Sequence, residues 1–179
     1  MAIDIIGGFT MGQKAITIYT PASAGAHINA EDDAQLNRAR FGGSGITLAD
    51  GQLALTIVDD NTVRLASGQY SNQGYMISVV GGTTADLSVE SGTAGSYRHD
   101  LVVADFIRGG GDTADTHTFH VVTGTDASSA AAAQDPTLIQ NNLAEGGSQR
   151  QEALYRLIIN GTTLASVERI ANYVGNVYQ

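Results

Sequence analysis

The stretch Leu53-Ala-Leu-Thr-Ile-Val-Asp-Asp-Asn-Thr-Val-Arg-Leu-Ala-Ser-Gly68 decides how this chain folds. Two apolar, β-branched runs, Leu53 to Val58 and Thr62 to Leu65, flank the polar triplet Asp59-Asp60-Asn61. Runs of this length, bounded by turn residues, read as strands joined by a hairpin. The same cadence continues through Gly74 to Val80, Ala85 to Val89, Arg98 to Ile107 and Thr116 to Val122. Turn clusters separate the runs at Ser67-Gly68, Gly81-Gly82, Ser91 to Ser96 and Gly109 to Asp112. Short strands at such spacing predict a mainly β chain, an antiparallel sandwich or barrel-like domain, and argue against βαβ units.

Upstream, Ala15 to Tyr19 alternates and is β-branched, so it reads as a strand broken at Pro21. Asn29-Ala-Glu-Asp32 reads as a helix start, because an Asx side chain accepts the free N–H groups of a first turn. Glu31, Asp32 and Asp33 suit the positive end of the helix dipole, Arg38 and Arg40 suit the negative end, and Gly42-Gly43 stops the segment. One short helix is expected over residues 30–41.

Downstream, residues 126–136 are small and of low complexity and predict a surface crossing segment. Ala153 to Ile159 and Thr162 to Val167 flank Asn160-Gly161, the strongest hairpin signal in the chain, and a type I′ turn is expected there. Asn160-Gly-Thr162 also matches a glycosylation acceptor, but the hairpin already accounts for these residues. The expected organisation is an N-terminal strand or contact arm (1–25), a β-rich body (26–125), a connecting segment (126–148) and a C-terminal hairpin and tail (149–179).

Composition narrows the function. The 179 residues include 22 glycines, 17 threonines and 12 serines, no cysteine and no tryptophan. Without cysteine there is no disulfide framework, zinc-thiolate site or cysteine nucleophile. One lysine, Lys14, and eight arginines stand against eighteen acids, a net charge of −9. Such a balance argues against a nucleic-acid partner, which demands a basic face, and against an anionic membrane. No apolar run approaches the roughly 20 residues of a spanning helix. Met1 to Phe9 carries Asp4 where an export signal would carry Lys or Arg, so no export signal is expected.

No catalytic constellation emerges. His117 and His120 lie three apart in a β-rich run and should face opposite sides of a strand, which argues against a metal pair. Arg98-His99-Asp100 could make His99 a base oriented by an acid, but strand neighbours point apart. An Arg98–Asp100 pair on one face, anchoring the strand, is the expected arrangement. Asp32-Asp33 and Asp59-Asp60 sit at a helix start and a hairpin tip, and neither has the order of a calcium loop. No cofactor is expected.

The ordered motifs resemble a family of small structural proteins of tailed bacteriophages found near tail-fibre and baseplate proteins. They begin at Ala26-His-Ile-Asn-Ala-Glu-Asp-Asp-Ala-Gln-Leu-Asn37 with Phe41-Gly42, then Val63-Arg-Leu-Ala-Ser-Gly68 and Gln73-Gly74. Gly95-x-Tyr97-Arg98-x-Asp100-Leu-Val-Val103, Val121-Val-Thr-Gly124, Asp135-Pro136 and Leu154-Tyr155-Arg156 complete the series. The resemblance implies a β-rich, non-enzymatic virion subunit that self-associates, often as a trimer, and docks to other virion proteins. It supplies no catalytic residue.

The apolar ends are the expected contact arms: Ile3, Ile5, Ile6 and Phe9 in the first, Tyr173, Val174, Val177 and Tyr178 in the second. They could equally fold back as edge strands. A capsid decoration protein is the alternative structural role. A receptor- or glycan-binding module is another, and would stack sugars on exposed Tyr70, Tyr75 and Tyr97.

Overall fold

A computed structural model of the chain describes residues 29–110 and 113–175. It opens with helix α1, Ala30–Phe41. Asn29 caps it through its side chain, which accepts from the Asp32 N–H, while the Asp32 carboxylate accepts from the Asn29 N–H, both at 3.1 Å. Gly42, in the left-handed region, ends it and returns its N–H to the Arg38 carbonyl.

The strands that follow are β1 (Gly45–Thr47), β2 (Leu55–Asp59), β3 (Thr62–Asn72) and β4 (Tyr75–Ser88). Then come β5 (Tyr97–Ile107), β6 (Thr116–Val122), β7 (Gln149–Asn160), β8 (Thr163–Arg169) and β9 (Tyr173–Val174). They form two curled sheets, each half a barrel, that face each other as a sandwich. The pairings are antiparallel except for the short parallel contact of β9 with β1.

In the first sheet β3 lies at the centre, with β4 along one edge and β2 and β1 sharing the other. β1 and β2 are thus one line alongside β3, interrupted by residues 48–54. Opposite that interruption, β4 bulges: Ala66 pairs with Thr84 and Gly68 with Val79, leaving Val80 to Thr83 looped out. Both irregularities meet at Ser67-Gly68, and the crease curls the sheet. The sequence splits Gly74–Val80 from Ala85–Val89 into two strands. Gly81-Gly82 instead marks a bulge inside one.

The turn between β3 and β4 is Gln73-Gly74, with φ of 49° and 92°. Positive φ at both central residues is the requirement of a type I′ turn. The Asn160-Gly161 hairpin differs from expectation. Asn160 pairs with Thr163, so the central residues are Gly161 and Thr162, and only Gly161 has positive φ. That is the type II′ pattern, shifted one residue along from the expected turn.

The second sheet runs β6-β5-β7-β8, and β7 pairs along β5 from Tyr97↔Asn160 to Ile107↔Gln149. The C-terminal hairpin is therefore half of this sheet. Val63, Leu65 and Tyr70 of the first sheet close against Val102, Leu154 and Leu157 of the second. Each such side chain stabilises the fold by roughly 1.5–3 kcal/mol through burial. Asn72, fully buried, ties the sheets together by donating to the carbonyls of Ala104 and Arg150.

The strand β5 is buried on both faces: Leu101 and Val103 point away from the sandwich core yet are covered. A strap of residues 126–140 crosses that outer face. Backbone bonds between Tyr97 and Ala127 fix one end, and the Gln140–Arg150 bridge fixes the other. At the end of the sandwich, α1 packs Ala34 onto Tyr75, Phe106 and Leu143, a second small core.

Candidate functional site

Arg98 and Asp100, both on β5, are brought together inside the protein. The guanidinium holds both carboxylate oxygens, Nε to Oδ1 at 2.8 Å and Nη2 to Oδ2 at 3.0 Å. Arg98 also donates to the carbonyls of Glu90 and Ser91, and Asp100 accepts the Gly124 N–H. Two loops, the β4–β5 connection and the segment after β6, are thereby pinned to one strand end. His99 points the other way, to the strap, where its Nδ1 lies 3.1 Å from Asp135 Oδ1.

Asp135 is the strap's clasp. Arg156 of β7 grips both of its oxygens at 2.6 Å and also reaches Glu168 at 2.8 Å. The Arg156 hydrogen bonds hold the Asp135 carboxyl below the usual range, with His99 adding to the effect.

The other histidines part company, as strand geometry requires. His117 crosses the seam between the sheets and packs edge-on against Phe106. Burial pushes its pKa down to about 4, opposed by its hydrogen bond to the Met76 backbone, and its Nε2 is shielded without a partner. His120 lies on the opposite face, 3.7 Å from Asp105. Asp105, itself buried, accepts from the amides of Gln149 and Gln151 at 3.0 Å. Among the described residues no group of three or more His, Asp or Glu is placed to hold a metal ion. His27 lies outside the described residues.

A cleft of about 350 Å³ opens between α1 and that seam and is lined by Asp33, Asn37, Tyr75, Met76, Asp115 and His117. Its histidine is a weak base, since general-base work at neutral pH needs a pKa near 7.

The remaining surface of interest is the outer face of the first sheet. Registers place Val174, Thr47, Gln69 and Ser78 in one row across β9, β1, β3 and β4, with Thr47 bonded to the Gln69 carbonyl. No charged residue lies in that row. Phe41, Leu48, Ala49 and Val174 wall a groove of about 240 Å³ over it. Leu48, 57% exposed, stands at the groove, and Val80, 67% exposed, stands on the β4 bulge beside it.

Of the expected contact residues, Tyr173 and Val174 form β9, the edge strand of the first sheet; Tyr173 is exposed and carries the Arg169 guanidinium 4.1 Å over its ring. Ile3, Ile5, Ile6, Phe9, Val177 and Tyr178 lie outside the described residues. Asn29 caps α1, while Asn160 and Gly161 serve the β7–β8 turn. Of the three tyrosines expected to be exposed for sugar stacking, Tyr70 is 2% and Tyr75 7% exposed, because both face inward in their registers, and Tyr97 is half-buried. Sequence reading missed Leu48 and Val80. Leu48 lies just past β1 and Val80 ends an apolar run before Gly81-Gly82, and only the tertiary structure lines the groove with Leu48 and leaves Val80 exposed on the bulge.

No protein-family model matches the chain, and no curated protein sequence is significantly similar to it. The fold and this face define a mainly β sandwich whose first sheet carries on its outer side an uncharged row edged by exposed apolar side chains.

Proposed function

We propose that this protein is a non-enzymatic structural subunit of a tailed-phage particle, of the tail or baseplate, that self-associates and docks to neighbouring virion proteins. The observation that carries the reading is the outer face of the first sheet, where Leu48 and Val80 are exposed over a row without charge. Apolar patches of this kind mark interaction surfaces, and interface cores are depleted in charge. The ordered motifs from Ala26 to Arg156 supply the class of particle. A catalytic reading gains nothing from the geometry, since Asp105 is engaged by amides and His117 is a weak base.

Gold-labelled antibody against the chain, applied to purified particles, tests the proposal. Label on the tail or baseplate is expected. Label spread over the shell favours capsid decoration instead, and washed particles free of the chain refute a virion role.

A further inference from the structure

We infer that the outer face of the first sheet is a docking surface for a second copy of this chain, paired face to face about a two-fold axis. The inference names the surface through which the self-association proposed above takes place.

The face carries both halves of a contact. One half is the groove walled by Phe41, Leu48 and Val174. The other is Val80, the most exposed large apolar side chain among the described residues, raised on a four-residue bulge. Strands stand about 4.8 Å apart, which puts the Val80 knob about 10 Å from the middle of the groove. The row between them, Thr47, Gln69 and Ser78, is uncharged. A surface holding a knob and a hole side by side is self-complementary under a two-fold rotation, and each knob then enters the other copy's hole.

Charge fits the same operation. Arg40 is exposed at the helix end that supplies Phe41, and no carboxylate lies within 4 Å of it among the described residues. Asp50 is exposed beside the bulge, its Oδ1 3.7 Å from where a side chain on Gly81 would begin, and it too lacks an ionic partner among the described residues. On the second sheet, by contrast, Arg156 is paired within the chain, to Asp135 and Glu168. A cation at the hole and an anion at the knob meet across the axis. A single copy leaves both unpaired. The segment between β1 and β2 that supplies Leu48 and Asp50 also holds Asp50, Gln52 and Leu53 at φ of 51°, 54° and 50°. Three left-handed non-glycine residues in four cost roughly 1–2 kcal/mol each. Leu53 is anchored in the core and its carbonyl accepts from Tyr155 at 3.1 Å, so the presentation of Leu48 and Asp50 is rigid.

Mass measurement by analytical ultracentrifugation at micromolar concentration, with far-ultraviolet circular dichroism as the check on folding, tests the inference. The full chain is expected to be a dimer. Val80→Asp and Leu48→Asp should each give a folded monomer, raising the dissociation constant tenfold or more. Arg40→Asp should weaken the dimer, and adding Asp50→Arg to it should restore it. Because the chain has no cysteine, a Leu48→Cys protein mixed with a Val80→Cys protein should cross-link on oxidation faster than either alone. A monomeric wild type, a dimer indifferent to Val80→Asp, or an odd-numbered assembly overturns the inference. Particle labelling decides the virion role separately: a labelled tail with a monomeric chain would refute this surface and the self-association but not the virion role, and a dimer missing from particles would refute the virion role alone.

Discussion

Arg98 and Asp100 stand two residues apart on β5, joined at 2.8 Å by guanidinium and carboxylate, and solvent reaches almost nothing of either. The pair works because nothing about it is left over: the spare Arg98 protons go to the Glu90 and Ser91 carbonyls, and Asp100 also takes the Gly124 N–H. Breaking a buried pair strands a charge, at about 3–5 kcal/mol. Asp100→Ala should therefore remove a large part of a stability of roughly 5–15 kcal/mol. The exposed Arg64–Asp86 pair at 2.6 Å is the internal control; Asp86→Ala should cost far less, because solvent screens an exposed pair. Urea denaturation midpoints of the two variants compare them directly, and equal losses would contradict the burial argument.

The strap is held by a clasp that acid opens. Asp135 titrates below its ordinary range because Arg156 binds its charged form. A carboxyl depressed in the folded state contributes stability above the unfolded value, near 3.9, and loses it as pH falls through the folded one. Protection of the strap amides against hydrogen exchange, Ala127 among them, should fall relative to the intrinsic rate on acidification below the ordinary aspartate range. Arg156→Ala should bring the same loosening at neutral pH, at a cost of about 1 kcal/mol. If strap exchange in that variant matches wild type, Asp135 is not the clasp.

Gly74 and Gly161 separate two reasons for glycine. Both have positive φ, 92° and 60°, but a Cβ on Gly74 would sit 1.9 Å from the Ala34 carbonyl oxygen of α1, whereas one on Gly161 would meet nothing nearer than the Gly95 nitrogen at 3.9 Å. Gly161→Ala should cost only the left-handed penalty, about 1–2 kcal/mol. Gly74→Ala must also push the helix off the β3–β4 turn, so its loss should exceed that of Gly161→Ala by at least about 1 kcal/mol. Thermal denaturation of the two variants gives the order.

What the sequence made legible follows from how local each cause is. The helix over residues 30–41 was readable because Asn29, the acidic first turn and Gly42 all act within four residues of the backbone they cap. The β-rich body was readable because strand runs and turn residues alternate locally. The β4 bulge was not, since its extra residues, Val80 to Thr83, count as extra only against the partner register at Ala66 and Gly68. Tyr70 and Tyr75 were misjudged for the same reason: alternation says that neighbours face opposite ways but not which way is inward. Gln73-Gly74 takes a type I′ turn without the asparagine signal. Its support is tertiary, with the Gln73 N–H donating to Ser44 and its side chain accepting from the Leu143 N–H.

His117 should give the chain a second, separate dependence on pH. Burial lowers its pKa to about 4, against about 6.5 in an unfolded chain. A base whose folded pKa is depressed binds its proton more readily when unfolded, so stability is full above about 6.5 and declines as pH falls toward 4. At about 1.4 kcal/mol for each pH unit of the gap, the loss approaches roughly 3 kcal/mol by the lower limit. The clasp acts below this window, so the two contributions are separable in one denaturation series. His117→Phe keeps the ring against Phe106, removes the titrating group and gives up the bond to Met76. The variant should lose the slope between pH 6.5 and 4 while retaining the acid loss due to Asp135. An NMR titration of wild type supplies the direct check: the His117 ring resonances should move near pH 4, and a midpoint close to 6.5 would show that the ring is solvated.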